Sequence, residues 1–361
     1  MNKQVSITPD GVEDPHEAES RRRLVYPIEL GPKVGEGVDV APGVKWIRMP
    51  LGGSLAFINV WAIAEDGGWA IVDTGLNSEA SMQAWRRAFA GVLEGKPVTR
   101  VFITHMHPDH IGMAGWLTRK FNVRLWISRL EFLMCRSLAA DTGREAPPDA
   151  LAFYRAAGWD QEALDTYRSR FGGFGRALHA LPDSFQRMRD GEAIEIGGRT
   201  WRVVVGSGHT PEHVCLWCPE LKLMISGDQV LPKITSNVSV FPTEPAADPL
   251  DDWLTSLARI KTIVPDDVLV LPAHNEPFHG LHARIDALIG GHERRLAHLK
   301  VEIAEPKRAV DVFHVLFRRK IDGNNIGMAT GESLAHLNCL MARGQAVRRR
   351  DERGVDWYQA E

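Results

Sequence analysis

The segment Thr104-His105-Met106-His107-Pro108-Asp109-His110 carries the strongest signal in this sequence of 361 residues. It follows the apolar run VTRVFI and precedes apolar residues at helical spacing, which predicts a turn from a buried strand into a helix. Neutral imidazoles and carboxylates are the ligands that borderline-soft divalent ions prefer. Four such side chains close together therefore predict a metal site at the end of a strand.

Three further residues of the same chemical types each follow an apolar run: His209 in GSGHTPEH, Asp228 in MISGDQVL and His274 in LVLPAHNEP. Strand ends in an α/β sheet converge on one edge, so ligands that are distant in sequence can meet there. A catalytic ion needs about three protein ligands and an open position for water. The candidates therefore suffice for two ions, which can activate water when they lie about 3.5 to 4 Å apart.

The remaining sequence predicts an α/β catalytic domain over residues 41–280. Apolar runs such as WAIV, which precedes Asp73-Thr74-Gly75, are typical of buried strands. Residues 128–190 are rich in Ala, Arg, Leu and aromatic side chains and predict a helical insertion. Residues 285–361 predict helices followed by a hairpin, which is typical of a winged-helix-like module, and residues 1–40 predict a disordered leader.

The composition is that of an ordinary globular protein, with 44% hydrophobic residues, 25% charged residues and a net charge of −3. This balance provides no electrostatic footprint for nucleic acid or for an anionic membrane. The sequence also lacks an apolar run of the ~18 to 20 residues that a membrane helix requires. Four cysteines in a chain of this length do not form the disulfide framework of a small secreted domain.

We therefore expect a cytoplasmic protein that acts on a small-molecule substrate, without nucleic-acid or membrane partners. The C-terminal module is expected either to close one wall of the active site or to mediate formation of a homodimer.

Five motifs together resemble the metallo-β-lactamase superfamily in their order and spacing: VDTG, HMHPDH, and the three isolated candidates after later strands. The resemblance spans roughly residues 44–280. It implies an αββα sandwich, in which two β-sheets are flanked by helices. It also implies two bound divalent ions, with Zn²⁺ favoured and iron or manganese as alternatives.

The resemblance implies a role for each candidate residue. The first metal would be held by His105, His107 and His209, and the second by Asp109, His110 and His274, with Asp228 as the bridge. The catalytic carboxylates would be Asp109 and Asp228, and Asp73 would orient the ligand loop. The chain departs from the family pattern beside the last histidine, where many relatives have glycine and this chain has Ala273 and Asn275. Glycine adopts backbone angles that alanine resists, so the conformation there is an open question.

The binuclear relatives that this chain resembles hydrolyse thioesters, lactones or phosphodiesters. The glyoxalase II-like and thioesterase-like branch is favoured, with a metal-bound hydroxide that attacks an acyl-thioester such as an acyl-CoA or a glutathione thioester. A phosphodiesterase or ribonuclease and a lactonase are alternatives on the same metal site. A regulatory protein whose winged helix binds DNA is a rival from a different class, but a complete set of ligands argues against a vestigial site.

The helical insertion is predicted to cap the metal site as a lid, because both of its ends join strands that deliver ligands. Its aromatic and basic side chains, among them Tyr154, Tyr167 and Arg168, are predicted to contact an amphipathic, anionic substrate. The alternative is that the aromatic rings form the lid's own core and that the arginines are solvated. His213, four residues past His209, is expected to have a structural role because the ligand sets are already full.

Overall fold

Two stacked β-sheets form the centre of the protein in a computed structural model, which describes residues 23–28, 30–53, 55–317 and 320–361. Within these residues the first sheet has seven strands in sequential order. They are β1 (Gly37–Ala41), β2 (Val44–Pro50), β3 (Phe57–Glu65), β4 (Gly68–Val72), β5 (Val98–Phe102), β6 (Leu125–Ile127) and β7 (Gln186–Arg187). Strands β1 to β4 pair antiparallel, whereas β4 to β7 run parallel.

The second sheet has five strands within the same residues, in the order β12-β11-β10-β9-β8. They are β8 (Ala193–Ile196), β9 (Arg199–Gly206), β10 (His213–Cys218), β11 (Leu223–Gly227) and β12 (Leu269–Pro272). The pairs are antiparallel except for β11 with β12, which run parallel.

Side chains alternate between the two faces along a strand, and the central strands contribute buried side chains to both faces of their sheet. In β2, Trp46 lies in the layer between the sheets, while Ile47 and Met49 face the helices outside the first sheet. In β11, Ile225 lies in the layer between the sheets and Met224 faces the helices outside the second sheet. The resulting order of helices, sheet, sheet and helices is the αββα sandwich that the resemblance implied, so the predicted fold class is confirmed.

Most of the helices cover the outer faces of the two sheets. The helices are α1 (Glu79–Ala90), α2 (Pro108–Ile111), α3 (Ala114–Phe121), α4 (Arg129–Ala140), α5 (Pro148–Ala156), α6 (Gln161–Arg170), α7 (Pro249–Ile263), α8 (Leu281–Glu302), α9 (Phe313–Leu316) and α10 (Ile326–Ala342). Local sequence explains where they begin. Ser78 caps α1 by accepting a hydrogen bond from the N–H of Ser81 at 3.1 Å, and Asp248 caps α7, which has Pro249 at its first position.

Helices α4, α5 and α6 form the predicted helical insertion, which returns to the first sheet at β7. The chain ends with α8 to α10 and a hairpin of β13 (Ala346–Arg350) and β14 (Asp356–Ala360). Apolar residues of α8 and α10 share one cluster with α7 and with the outer face of the second sheet. The C-terminal helices therefore pack directly on the sandwich.

The disordered leader predicted over residues 1–40 is wrong for its second part. Leu24 is buried in the cluster beneath the second sheet, and Val25 forms a β-bridge with His279. Residues from Gly37 onward form strand β1, because the alternating segment GVDVA extends the first sheet beside β2. Residues 1–22 of that leader lie outside the described residues.

Among the described residues, none of the helices combines the length and the apolar character that crossing a membrane requires.

Candidate metal centre

The predicted ligand loop lies at the carboxyl end of β5, where the chain turns into α2. Asp73, which directly follows β4, holds this loop in place with its carboxylate. The N–H of Thr104 donates to Oδ1 of Asp73 at 2.9 Å, and the hydroxyl of Thr104 donates to Oδ2 at 2.8 Å. Nδ1–H of His110 donates to the same Oδ2 at 2.8 Å. The predicted orienting role of Asp73 is consistent with these contacts.

Three imidazoles form the first ligand set. The candidate ligand atoms of His105, His107 and His209 all lie within 4.8 Å of one another. Nε2 of His105 lies 2.9 Å from Nδ1 of His107 and 3.3 Å from Nε2 of His209. The second set consists of Asp109, His110 and His274, within the same limit. Oδ2 of Asp109 lies 3.6 Å from Nε2 of His110 and 3.5 Å from Nε2 of His274.

Asp228 lies between the two ligand sets. Its Oδ2 is 3.5 Å from Nε2 of His209 in the first set. Its Oδ1 is 3.6 Å from Nε2 of His110 and 3.5 Å from Nε2 of His274 in the second set. One carboxylate oxygen thus faces each set, which is an arrangement that suits a bridging ligand.

Two buried atoms of this centre have no hydrogen-bond partner among the described residues. They are Oδ1 of Asp228 and Nε2 of His110. An unpaired polar atom in a protein interior is costly, and a native structure normally satisfies it with a partner, a water or an ion. Both atoms are of types that divalent ions bind, so the histidine and aspartate side chains fit a metal centre.

The electrostatics of the first set favour neutral imidazoles. Burial lowers the pKa of His105 well below its usual range, and the neighbouring imidazoles lower it further. Burial and the adjacent His209 lower the pKa of His107 to about 3. Neutral imidazole is the form that binds a metal, so these two side chains are ready to act as ligands at neutral pH.

The second set has the opposite electrostatics. Burial lowers the pKa of His274, but Asp228 and Asp109 beside it outweigh this effect, and the pKa of His274 rises to about 10. The pKa of His110 is likewise raised well above its usual range, because Asp109, Asp228 and Asp73 outweigh its burial. Burial alone would raise the pKa of Asp109, but His110 and His274 outweigh this effect and lower the pKa to about 2. The second set therefore favours a cation, and a divalent ion bound there would take the place of the protons.

Backbone carbonyls fix the orientation of two ligand imidazoles. Nδ1–H of His209 donates to the carbonyl of Asn237 at 2.6 Å, and Nδ1–H of His274 donates to the carbonyl of Phe57 at 3.3 Å. Each contact leaves Nε2 directed toward the carboxylate of Asp228, which is how outer contacts orient metal ligands. Asn237 is held in turn by the C-terminal helix α10, because its side-chain N–H donates to Oε2 of Glu332 at 3.1 Å.

His213 supports Asp228 from behind. The N–H of Asp228 donates to Nε2 of His213 at 3.0 Å, and the His213 ring is fully buried against the ring of His105. Gly227, the residue before Asp228, has a φ of 51°, and a Cβ at that position would lie 2.6 Å from the His213 ring. Only glycine fits here. These contacts agree with the structural role expected for His213.

Beside His274, Asn275 takes the position where many relatives have glycine. Asn275 adopts a left-handed φ of 68°, which asparagine tolerates better than most residues. Nδ2–H of Asn59 donates to the carbonyl of Asn275 at 2.6 Å and to that of Pro272 at 2.8 Å. The φ of Ala273 is not positive, so alanine adopts its backbone conformation without strain. The strand end that carries His274 is therefore held without glycine.

Glu131 is a residue of this centre that sequence reasoning missed. It lies in the first turn of the lid helix α4, is fully buried, and accepts hydrogen bonds from the backbone of both first-set ligand segments. Burial raises the pKa of Glu131, against the opposing effect of these donors. The available signal was its spacing: Glu131 and the buried Cys135 are four residues apart and share one helix face.

The predicted substrate residues lie in the lid and pack mainly with one another. Tyr154 is buried and stacks on Trp159 with ring centroids 4.1 Å apart, and Tyr167 lies 4.8 Å from Tyr154. Arg168 forms an ion pair with Asp165 on the same helix. These contacts favour the alternative in which the aromatic rings form the lid's own core. A substrate role for the three residues stays a prediction.

The sequence matches the family described as "Metallo-beta-lactamase superfamily" over residues 53–274, which include all seven candidate ligands. The chain belongs to the metallo-beta-lactamase superfamily. Members of this superfamily are generally hydrolases, and the present member has histidine and aspartate residues positioned for metal binding. Residues 296–361 match a second family, described as "Metallo-beta-lactamase-like, C-terminal domain".

A solved structure of a beta-lactamase domain protein from Burkholderia ambifaria is similar to this superfamily member over almost its whole length. The two are 40% identical, the match covers 95% of this chain and 100% of the other, and the TM-score is 0.87.

Two curated relatives are more distant. A hydroxyacylglutathione hydrolase from Haemophilus influenzae is 24% identical over 178 residues, which cover 48% of this chain and 67% of that enzyme. An atrochrysone carboxyl ACP thioesterase from Aspergillus novofumigatus is 29% identical over 117 residues, which cover 32% of this chain and only 34% of the fungal enzyme.

Proposed function

We propose that this protein is a binuclear metal-dependent hydrolase whose substrate is an acyl-thioester. The observation that carries the proposal is the position of Asp228, with one carboxylate oxygen facing each of two three-residue ligand sets. A centre for a single ion would not require a second set of this composition.

The ligand sets would hold two divalent ions, and Zn²⁺ is the ion we propose because imidazole and carboxylate suit it. When bound, such ions lower the pKa of water toward neutrality and polarise a carbonyl oxygen of the substrate. The residues of this chain hold the centre in a fixed geometry. Asp73 anchors the ligand loop, and the carbonyls of Asn237 and Phe57 orient two of the imidazoles. Such fixed geometry keeps the cost of reorganisation during the reaction low.

The choice of a thioester rests on the relatives and on the surface beside the centre. One curated relative is named as a hydroxyacylglutathione hydrolase and another as an ACP thioesterase. Both names refer to thioester chemistry. Phe57, whose carbonyl contacts His274, is 41% exposed, and Leu130, next to Glu131, is 46% exposed. Apolar side chains at these positions offer contact to an acyl group.

A panel of substrates tests this proposal. Full-length protein that has been loaded with Zn²⁺ is assayed with an acyl-CoA, a glutathione thioester, an acyl-homoserine lactone and an activated phosphodiester. We expect the largest kcat/KM with one of the two thioesters, and loss of that activity after chelation. A larger kcat/KM with the lactone or with the phosphodiester would contradict the thioester assignment but not the metal centre.

A phosphodiesterase is the second candidate, because the C-terminal module contains clustered arginines. Arg348 and Arg350 both face Asp356, with Nε of Arg350 2.7 Å from Oδ1 of that carboxylate. Because Asp356 partly neutralises both arginines, less positive charge is available to bind a phosphate backbone. The C-terminal module has a second group of consecutive basic residues at positions 318–320, of which Arg318 and Arg319 lie outside the described residues. We interpret the module as a winged-helix-like wall of the active site, for which the contact between Glu332 and Asn237 is the main support.

A further inference from the structure

A buried carboxylate joins the two chain segments that supply the first ligand set. The N–H of Met106, between the ligands His105 and His107, donates to Oε2 of Glu131 at 2.8 Å. The N–H of Glu212, three residues after the ligand His209, donates to Oε1 at 2.9 Å. Each oxygen of Glu131 thus holds one ligand segment.

We propose that Glu131 is a positioning residue that sets the geometry of the first metal, by holding the His105/His107 segment and the His209 segment at a fixed separation. Both of its carboxylate oxygens are engaged by backbone N–H groups, so Glu131 acts through the segments and not as a ligand. A fully buried carboxylate is costly unless it is well hydrogen-bonded, and these two donors provide that compensation.

The helix that carries Glu131 is itself fixed to the same region. The hydroxyl of Ser128, the residue before α4, donates to the carbonyl of Glu212 at 2.8 Å. The N–H of Leu130 donates to Oε2 of Glu212, also at 2.8 Å. The start of the lid helix therefore cannot shift independently of the His209 segment, and Glu131 has a rigid base from which to hold Met106.

Two members of the second ligand set have supports other than this carboxylate. His110 is held by Asp73, and His274 is held by the carbonyl of Phe57. Loss of the Glu131 contacts should therefore affect the two metal positions unequally, which a general loss of stability would not do.

The test substitutes Glu131→Gln in the full chain. The shape is retained, but the amide NH₂ faces a backbone N–H and leaves it without an acceptor. The matched control is Glu162→Gln, since Glu162 also lies in the first turn of a lid helix but is exposed. Zn²⁺ affinity is measured by competition with a chelator, and the coordination geometry by the visible absorption of Co²⁺ bound to the same chain.

We expect Glu131→Gln to weaken one of the two equivalents by about 10- to 100-fold and to change the Co²⁺ spectrum. The Glu162→Gln control should retain both wild-type affinities and the wild-type spectrum. Wild-type affinities and spectrum in Glu131→Gln would overturn the inference, even if the metal-free variant unfolded at a lower temperature. If Glu131→Gln is not obtained folded, Glu131→Asp keeps the charge with a shorter reach, and the same outcomes apply.

This inference rests on the two-metal centre of the proposed function and not on its substrate. Fewer than two equivalents in the wild type would contradict that centre and this inference together. Two wild-type equivalents with no effect of Glu131→Gln would overturn only the role of Glu131.

Discussion

Asp228 is the residue that the two proposed metal positions would share. Its Oδ1 and Oδ2 face different ligand sets, at 3.5 to 3.6 Å from His110, His209 and His274. Asp228 also carries a negative charge that the second set needs. Burial raises the pKa of Asp228, but His274 and His110 outweigh this effect and lower the pKa well below its usual range. Removal of this carboxylate leaves the second set with fewer negative charges and the first set without its bridge.

We therefore predict that Asp228→Ala weakens binding at both metal positions and lowers the metal content to less than one equivalent per chain. His107→Ala and His274→Ala should each deplete a different ion and retain about one equivalent. Elemental analysis after dialysis measures all three variants, and activity should fall by orders of magnitude in each. Retention of two equivalents by Asp228→Ala would rule out the bridging role.

The seven candidate ligands could be predicted from sequence because each follows a strand that ends at the same edge of the sandwich. The structure brings all seven side chains together, and their individual roles as ligands stay predictions. Glu131 and Asn237 could not be predicted in the same way. The spacing of Glu131 and Cys135 indicates a shared helix face, but the contacts of Glu131 and Asn237 to the centre depend on how the lid and the loop after β11 pack, which the sequence pattern does not specify.

Helix α10 is the element that links the C-terminal module to both the lid and the metal centre. Its Glu332 holds Asn237, and its Thr330 accepts a hydrogen bond from Nε1–H of Trp159 in the lid at 2.8 Å. One turn later, the buried His336 lies 3.1 Å from His292 of α8. The pairing of α8 with α10, and with it the contact between these two histidines, was not predictable from the sequence.

The pair of His336 and His292 predicts a dependence of stability on pH. Burial lowers the pKa of His336 to about 4, from an ordinary value of 6.5. Burial, followed by Arg295 and His336, lowers the pKa of His292 well below its usual range. The groups that face the pair are Arg295, Arg284, the ring of Trp253 and the backbone carbonyl of Glu332. Two neutral imidazoles fit this environment and a charged one does not.

Below about pH 6.5 the unfolded chain binds protons that the folded chain excludes, so stability falls as the pH decreases toward 4. The slope is about 1.4 kcal/mol per pH unit for each histidine. His336→Gln, which does not titrate, should make the free energy of unfolding of the metal-free protein less dependent on pH. His298→Gln, an exposed position on α8, is the control. Equal pH dependence in the wild type and His336→Gln would argue against this interpretation.

Two substitutions separate the two interpretations of the lid, in which its aromatic rings either contact the substrate or form the lid's own core. Tyr154 is buried against Trp159, so Tyr154→Ala should lower the free energy of unfolding by about 3 kcal/mol. Tyr167 is only half-buried, and Tyr167→Ala should raise KM for the preferred thioester or change the order of preference, with metal content unchanged. Wild-type kinetics in Tyr167→Ala with every substrate would make the lid a scaffold and remove its support for an anionic substrate.

At the scale of the whole molecule, the sandwich and the C-terminal helices share one core. The shared cluster combines strand residues such as Val204, Met224 and Val270 with residues of α8. The α8 members are Leu281, Ile285, Leu288, Leu296 and Leu299. Their spacing along the chain is that of one apolar helix face. The surface they cover, the outer face of the second sheet, follows from the three-dimensional packing and not from any local pattern.

A chain that ends at residue 280 should therefore fail to fold. Each buried leucine or isoleucine contributes about 1.5 to 3 kcal/mol, and five of them together are comparable to the whole stability of a typical domain, about 5 to 15 kcal/mol. Soluble yield and circular dichroism of the truncated chain measure the effect. Cooperative unfolding of a soluble truncated chain would contradict the shared core.

The metal stoichiometry of the full-length wild-type chain tests the central claim most directly. Metal-free protein is titrated with Zn²⁺ in a calorimeter, and the bound metal is verified by elemental analysis after removal of the excess. The two ligand sets on either side of Asp228 predict two equivalents per chain. A titration that saturates at one equivalent, or that shows no binding, would contradict the binuclear centre.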